Sequence, residues 1–84
     1  MSWQWTDHIL LQLKERNLSK ELIEDALKNP DHTLPGSKNR TVYHKLVSGK
    51  LLRVITEDDL LITAYLTDKI GKYAKEVKYN ENAL

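Results

Sequence analysis

The chain has 84 residues, no cysteine and a formal net charge of +1; 40% of its residues are hydrophobic and 30% charged. That length admits one modest core, and the missing cysteines exclude a disulfide framework, a thiolate zinc site and a cysteine nucleophile. No apolar run approaches the ~18 residues of a membrane-crossing helix, and MSWQWTDH lacks the basic start and apolar stretch of a secretory signal. A single cytoplasmic domain over residues 1–84, with no membrane partner, is the expectation.

The charge is unevenly spread. Residues 1–31 carry four basic and six acidic side chains, whereas residues 32–84 carry nine and six. From His32 through Thr56 there is no carboxylate, so Lys38, Arg40, Lys45, Lys50 and Arg53 stand unopposed within the segment. Such a local excess steers an anionic partner, although it falls short of a DNA-binding tail.

Thr6 before DHILLQLKERN is a good N-cap, Asp7 suits the positive end of a helix, and Asn17 is a plausible left-handed terminator. Ser19 caps a second helix running to about Lys28, with Leu22, Ile23, Ala26 and Leu27 on one face. Pro30 stops it. DHTLPGSKN is rich in turn formers and reads as a loop. RTVYHKLV, LLRVIT and LLITAYL are short and rich in β-branched and aromatic residues, which predicts an antiparallel meander. Trp3 and Trp5 suit a brief N-terminal strand whose shared face covers the end of the core. A helical turn is expected around Lys69–Glu76, with residues 74–84 fraying. The expected fold class is α+β, with two N-terminal helices packed on one face of a three- or four-stranded antiparallel sheet.

Register decides which side chains share a face. Three-residue loops at Ser48–Lys50 and Glu57–Asp59 give the cleaner partition. They turn Val42, His44, Leu46, Leu52, Val54, Leu60, Ile62, Ala64 and Leu66 toward the helices. Thr41, Tyr43, Lys45, Val47, Leu51, Arg53, Ile55, Leu61, Thr63 and Tyr65 then share the open face. Two-residue loops would instead set Arg53 beside His44 and scatter the polar groups.

On the preferred register Lys45 lies across from Arg53, a like-charge pair that an intervening anion would relieve. Flanked by Tyr43 and Tyr65, it has the parts of a phosphate clamp with stacking surfaces. RNA cleavage by 2′-hydroxyl attack needs cations on the developing charge and groups that move protons. Arg53, Lys45 and Arg40 fit the first role, and Tyr65, Tyr73 or a histidine the second. The competing reading is a solvated face whose cations serve solubility and edge protection.

His8, His32 and His44 lack the short spacings of a metal site, and no cofactor motif is present. On the preferred register His44 points into the core as a structural histidine. His8 sits in the first helical turn, as either a proton shuttle or a helix-start contact. Lys69, Lys72, Lys75 and Lys78 recur every third residue, as a basic rim interrupted by Tyr73 or as a solvated tail.

TDHILLQLKERNLSKELIEDALKNPD, YHKLVSGKLLRVI and LLITAYLTDKIGKY together resemble a prokaryotic domain-of-unknown-function family, over about Thr6 to Tyr73. That family is distantly similar to the RelE/ParE and BrnT toxins. The resemblance implies a RelE-like sheet that cradles RNA, including ribosome-bound mRNA, and a cognate antitoxin protein; a homodimer is also compatible with it. It marks His8, Arg16, Arg53, Thr63 and Tyr65, while Lys45, Lys72 and Tyr73 follow from the fold analogy. The family often has Arg where this chain has Gln12, which bears on whether the chain is catalytic.

The expected function is thus a toxin that binds RNA and cleaves it as a metal-independent endoribonuclease. Arg53, Tyr65, His8 and Tyr73 are its candidate catalytic residues, and Arg40, Tyr43, Lys45, Thr63, Lys69 and Lys72 its RNA contacts. The alternative is a non-catalytic protein-interaction module of the same fold, docking through the open face or the Trp3/Trp5 patch.

Overall fold

The computed structural model describes residues 2–71. Helices α1 (Asp7–Glu15) and α2 (Lys20–Lys28) precede strands β1 (His32–Pro35), β2 (Arg40–Val47), β3 (Lys50–Glu57) and β4 (Leu60–Thr67). The strands form one antiparallel sheet in the order β1-β2-β3-β4. The α+β arrangement is the one the sequence predicts.

The helix boundaries follow from their caps. Thr6 Oγ1 accepts the Ile9 amide at 3.1 Å, and Ser19 Oγ accepts that of Leu22 at 3.1 Å. Each supplies a partner to a first-turn amide that no helical carbonyl can reach. Asn17, at φ 55°, takes the left-handed conformation beyond α1. The apolar stripes of both helices, Ile9 and Leu13 from α1 and Ile23, Ala26 and Leu27 from α2, meet Leu52, Val54, Leu61 and Ala64 of the sheet. Trp3 and Trp5 pack against this core, and between them Gln4 makes a single parallel bridge to Leu60 in place of the expected short strand.

Three expectations need correction. DHTLPGSKN is not all loop, because His32–Pro35 pairs with Thr41–His44 as the fourth strand. The hairpin connections are shorter than expected: Val47 pairs with Lys50 and Glu57 with Leu60, so each loop has two residues. Ser48 and Gly49, at φ 50° and 80°, form the tight turn whose twist matches the flanking strands. This register turns β2 over. Tyr43, Lys45 and Val47 face the helices, while Val42, His44 and Leu46 lie opposite.

The second hairpin contains a further shift. The pairing jumps between Ile55↔Thr63 and Thr56↔Leu61, leaving Ile62 as the extra residue of a bulge. Leu61 and Ala64 are three apart, so regular alternation would send them to opposite faces. The bulge lets both enter the core, and Leu61 is therefore inside rather than on the open face. After β4 a helical turn begins at Ile70; the rest of the expected 69–76 turn and the 74–84 tail lie outside the described residues.

Candidate functional site

The corrected register aligns polar residues that the sequence keeps far apart. His32 pairs with His44, His44 with Arg53, and Arg53 with Tyr65, one residue from each strand. Cross-strand partners share a face, so the four make a single row across the sheet, on the side away from α1 and α2. Arg53 Nε donates to His44 Nε2 at 3.1 Å, and Arg53 Nη1 donates to the Tyr65 hydroxyl at 2.8 Å. A guanidinium can only donate, so His44 Nε2 is an acceptor and the ring carries its proton on Nδ1. The guanidinium carbon also lies 5.7 Å from the centre of the Tyr65 ring. His44 is 1% exposed and Arg53 8%; Tyr65 and His32 are half-buried. All four residues are engaged in contacts.

A second polar chain runs along the seam between α1 and the outer edge of β4. His8, Gln12 and Arg16 recur at every fourth residue, which stacks them on one helical face. Gln12 is their hub. Its Oε1 accepts from Arg16 Nη1 at 2.9 Å, from the Thr63 hydroxyl at 2.6 Å and from the Ala64 amide at 3.4 Å. Its Nε2 meets His8 Nε2 at 2.7 Å. Arg16 Nη1 also donates to the Ala64 carbonyl at 2.7 Å and approaches the Thr63 hydroxyl oxygen at 3.4 Å. Thr63 and Tyr65 are two apart on β4 beyond the bulge, so they share a face, and the seam meets the row there.

Other candidates separate from these two groups. Lys45, expected opposite Arg53, instead faces α2, donating to the Asn29 carbonyl at 2.9 Å and pairing with Asp25 at 3.4 Å. Tyr43 is on that same face, edge-on to Trp3 at a centroid distance of 5.9 Å. Neither can join Arg53 in one clamp. Arg40 pairs with Glu57 at 3.3 Å, so carboxylates from outside the acid-free segment oppose two of its cations. His44, expected under the helices, lies on the opposite face. Lys69 is exposed beyond β4, and Lys72 and Tyr73 lie outside the described residues.

The Asp25 carboxyl departs clearly from its ordinary acidity. Its hydrogen bond from Asn29, followed by that from Lys45, holds its carboxyl below the ordinary aspartate range. Among the described residues, no three His, Asp or Glu side chains are grouped to hold a metal ion. No helix among them is long and apolar enough to cross a membrane.

The row is hidden in the sequence because a loop over DHTLPGSKN takes His32 out of the sheet and three-residue turns send His44 to the core. The seam was partly legible in the four-residue spacing of His8, Gln12 and Arg16. Its completion by Thr63 and Ala64 depends on how α1 lies against β4.

Residues 5–66, which span α1, α2, β1, β2, β3 and all but the last residue of β4 and hold both polar groups, match the domain of unknown function DUF4258. The chain belongs to the DUF4258 family. No curated protein and no solved structure matches it. The DUF4258 match ends before Lys69, so the two polar groups lie inside the shared domain and the expected basic rim does not.

Proposed function

We propose that this DUF4258 protein is a RelE/BrnT-like toxin that binds single-stranded RNA and cleaves it by 2′-hydroxyl attack. The observation that carries the reading is the Arg53–Tyr65 contact, a guanidinium bonded to a phenol at 2.8 Å within a row of histidines. A phosphodiester approaches through the half-buried β4 end of the row, where Tyr65 offers a stacking ring and Arg53 a positive charge behind it. In the reaction the 2′-oxygen bonds to phosphorus as its proton passes to water. The bond from phosphorus to the 5′-oxygen then breaks, and that oxygen takes the Tyr65 phenol proton on leaving, which the phenolate regains from water. Arg53 offsets the charge on the phosphorane, and Tyr65 is the nearest group able to exchange a proton.

Arg53→Gln tests this reading because it removes the charge while leaving donors for His44 and Tyr65. The wild-type protein is expected to bind an oligouridylate with an affinity that falls steeply with salt. The variant should fold and bind about tenfold more weakly at low salt, consistent with losing one charged phosphate contact. Induced expression should arrest growth, and Arg53→Gln should relieve the arrest. Wild-type protein that fails to bind the oligonucleotide at low salt rejects the RNA reading.

The interaction-module reading has its own observation. Leu10 and Leu11 are 42% and 55% exposed on α1, an apolar pair that could dock a protein partner. Harmless expression together with loss of a partner on Leu11→Lys would favour it.

A further inference from the structure

The α1–β4 seam contains a guanidinium that is anchored without being neutralised. Arg16 spends Nη1 on Gln12 and Ala64, while its Nε and Nη2 make no bond to a described residue and it forms no ion pair with a described carboxylate. The side chain is exposed. One fixed nitrogen and a remaining solvent-facing edge give a pre-oriented fork for a phosphate.

Gln12 also determines what His8 presents. Arg16 can only donate, so the Gln12 atom facing it is the oxygen, and the amide nitrogen must face His8. His8 Nε2 is then an acceptor, and the ring's proton sits on Nδ1, away from Gln12. His8 is exposed. Eight residues separate it from Arg16, which is about 12 Å along a helix axis.

We propose that this seam is a phosphate-binding track for single-stranded RNA, with Arg16 and the His8 Nδ1–H as its contacts and Gln12 as the residue that positions both. The inference rests on the RNA reading, adding a second contact region to the Arg53–Tyr65 row. Because Thr63 and Tyr65 adjoin on β4, one strand of RNA can engage both regions. Thr63 is a structural member here, since its hydroxyl hydrogen is committed to Gln12.

The experiment compares oligouridylate binding as a function of salt for wild type, Arg16→Gln, Arg16→Lys and Arg53→Gln. Glutamine at position 16 can still donate to the Ala64 carbonyl, and thermal unfolding checks that each variant folds. Arg16→Gln should bind about tenfold more weakly, with the log–log salt slope shallower by roughly 0.7, the value for one single-strand phosphate contact. Arg16→Lys should retain the wild-type slope because it retains the charge. Unchanged affinity and slope in Arg16→Gln, with binding weakened in Arg53→Gln, overturns the seam alone. The reverse result keeps the seam and rejects the row. No wild-type binding rejects both. Nitrogen-15 NMR of wild-type His8 tests the positioning role directly: a proton on Nδ1 supports it, and a neutral ring protonated on Nε2 overturns it.

Discussion

The two edges of the sheet are closed by different means, and the difference bears on where a ligand can bind. Along β4, Gln4 exchanges backbone bonds with Asp59 and Leu61, and Thr6 donates to the Leu61 carbonyl. Gln12 and Arg16 then take up the amide and carbonyl of Ala64. On the other side β1 has half the length of β2. Beyond its start, the Leu46 amide is taken by a single exposed carboxylate, Asp31 Oδ2 at 2.7 Å. Both devices blunt an edge that would otherwise pair with another chain. The β4 edge is closed by helix side chains with donors to spare, whereas the side chain that closes the β2 edge is a carboxylate, which only accepts. An anion therefore has partners at the first edge and a repelling charge at the second.

The sharpest way to break this contrast is Gln12→Leu. The leucine fits an apolar helix face but leaves the Ala64 amide and the Thr63 hydroxyl without their acceptor and releases Arg16 and His8. The expected loss is about 2–4 kcal/mol, the range for stranding buried polar groups of a shared network. Urea unfolding with an unchanged m-value measures it. A loss below that at the exposed edge would show that Gln12 is not the principal β4 closure.

The contrast also explains what could be read from the sequence. Helix starts were legible because Thr6 and Ser19 act within three residues of themselves. The central strand was legible only in part: Leu51, Leu52, Arg53 and Val54 are all buried, so alternation there does not distinguish one face from the other. The cleaner polar partition therefore favours loop lengths that invert β2. The Ser48–Gly49 turn settles the register through positive φ values, and Ser-Gly between two strand-like runs was the local signal for it. Nothing local marks the bulge at Ile62, which is set by the need to bury both Leu61 and Ala64. Likewise, Gln12 reads as an ordinary polar residue on α1 until β4 is laid beside it.

At the β2 edge, Asp31→Ala is expected to cost about 1 kcal/mol, the worth of one charged acceptor exposed to water. Its more informative effect is on association. Leu46 is 57% exposed, and freeing its amide leaves an apolar edge able to pair with a second chain. Sedimentation at rising concentration should therefore show self-association in the variant. A variant that stays monomeric would mean that the short β1 and Pro35 blunt this edge without Asp31.

The smallest effect expected is at Asp25, which joins α2 to the same side of the sheet through Lys45. Its carboxyl is held below the ordinary range by Asn29 and then by Lys45. A carboxylate so depressed contributes stability above its unfolded-state pKa, and that contribution disappears as pH falls through its folded-state value. Asp25→Asn should consequently lower the thermal midpoint slightly at neutral pH and leave it unchanged in strong acid, where the wild-type carboxyl is also protonated. Because the pair is exposed, added salt should shrink the neutral-pH difference as well. A difference that persists through acid and salt would place the effect in the geometry of the Asn29 hydrogen bond rather than in charge.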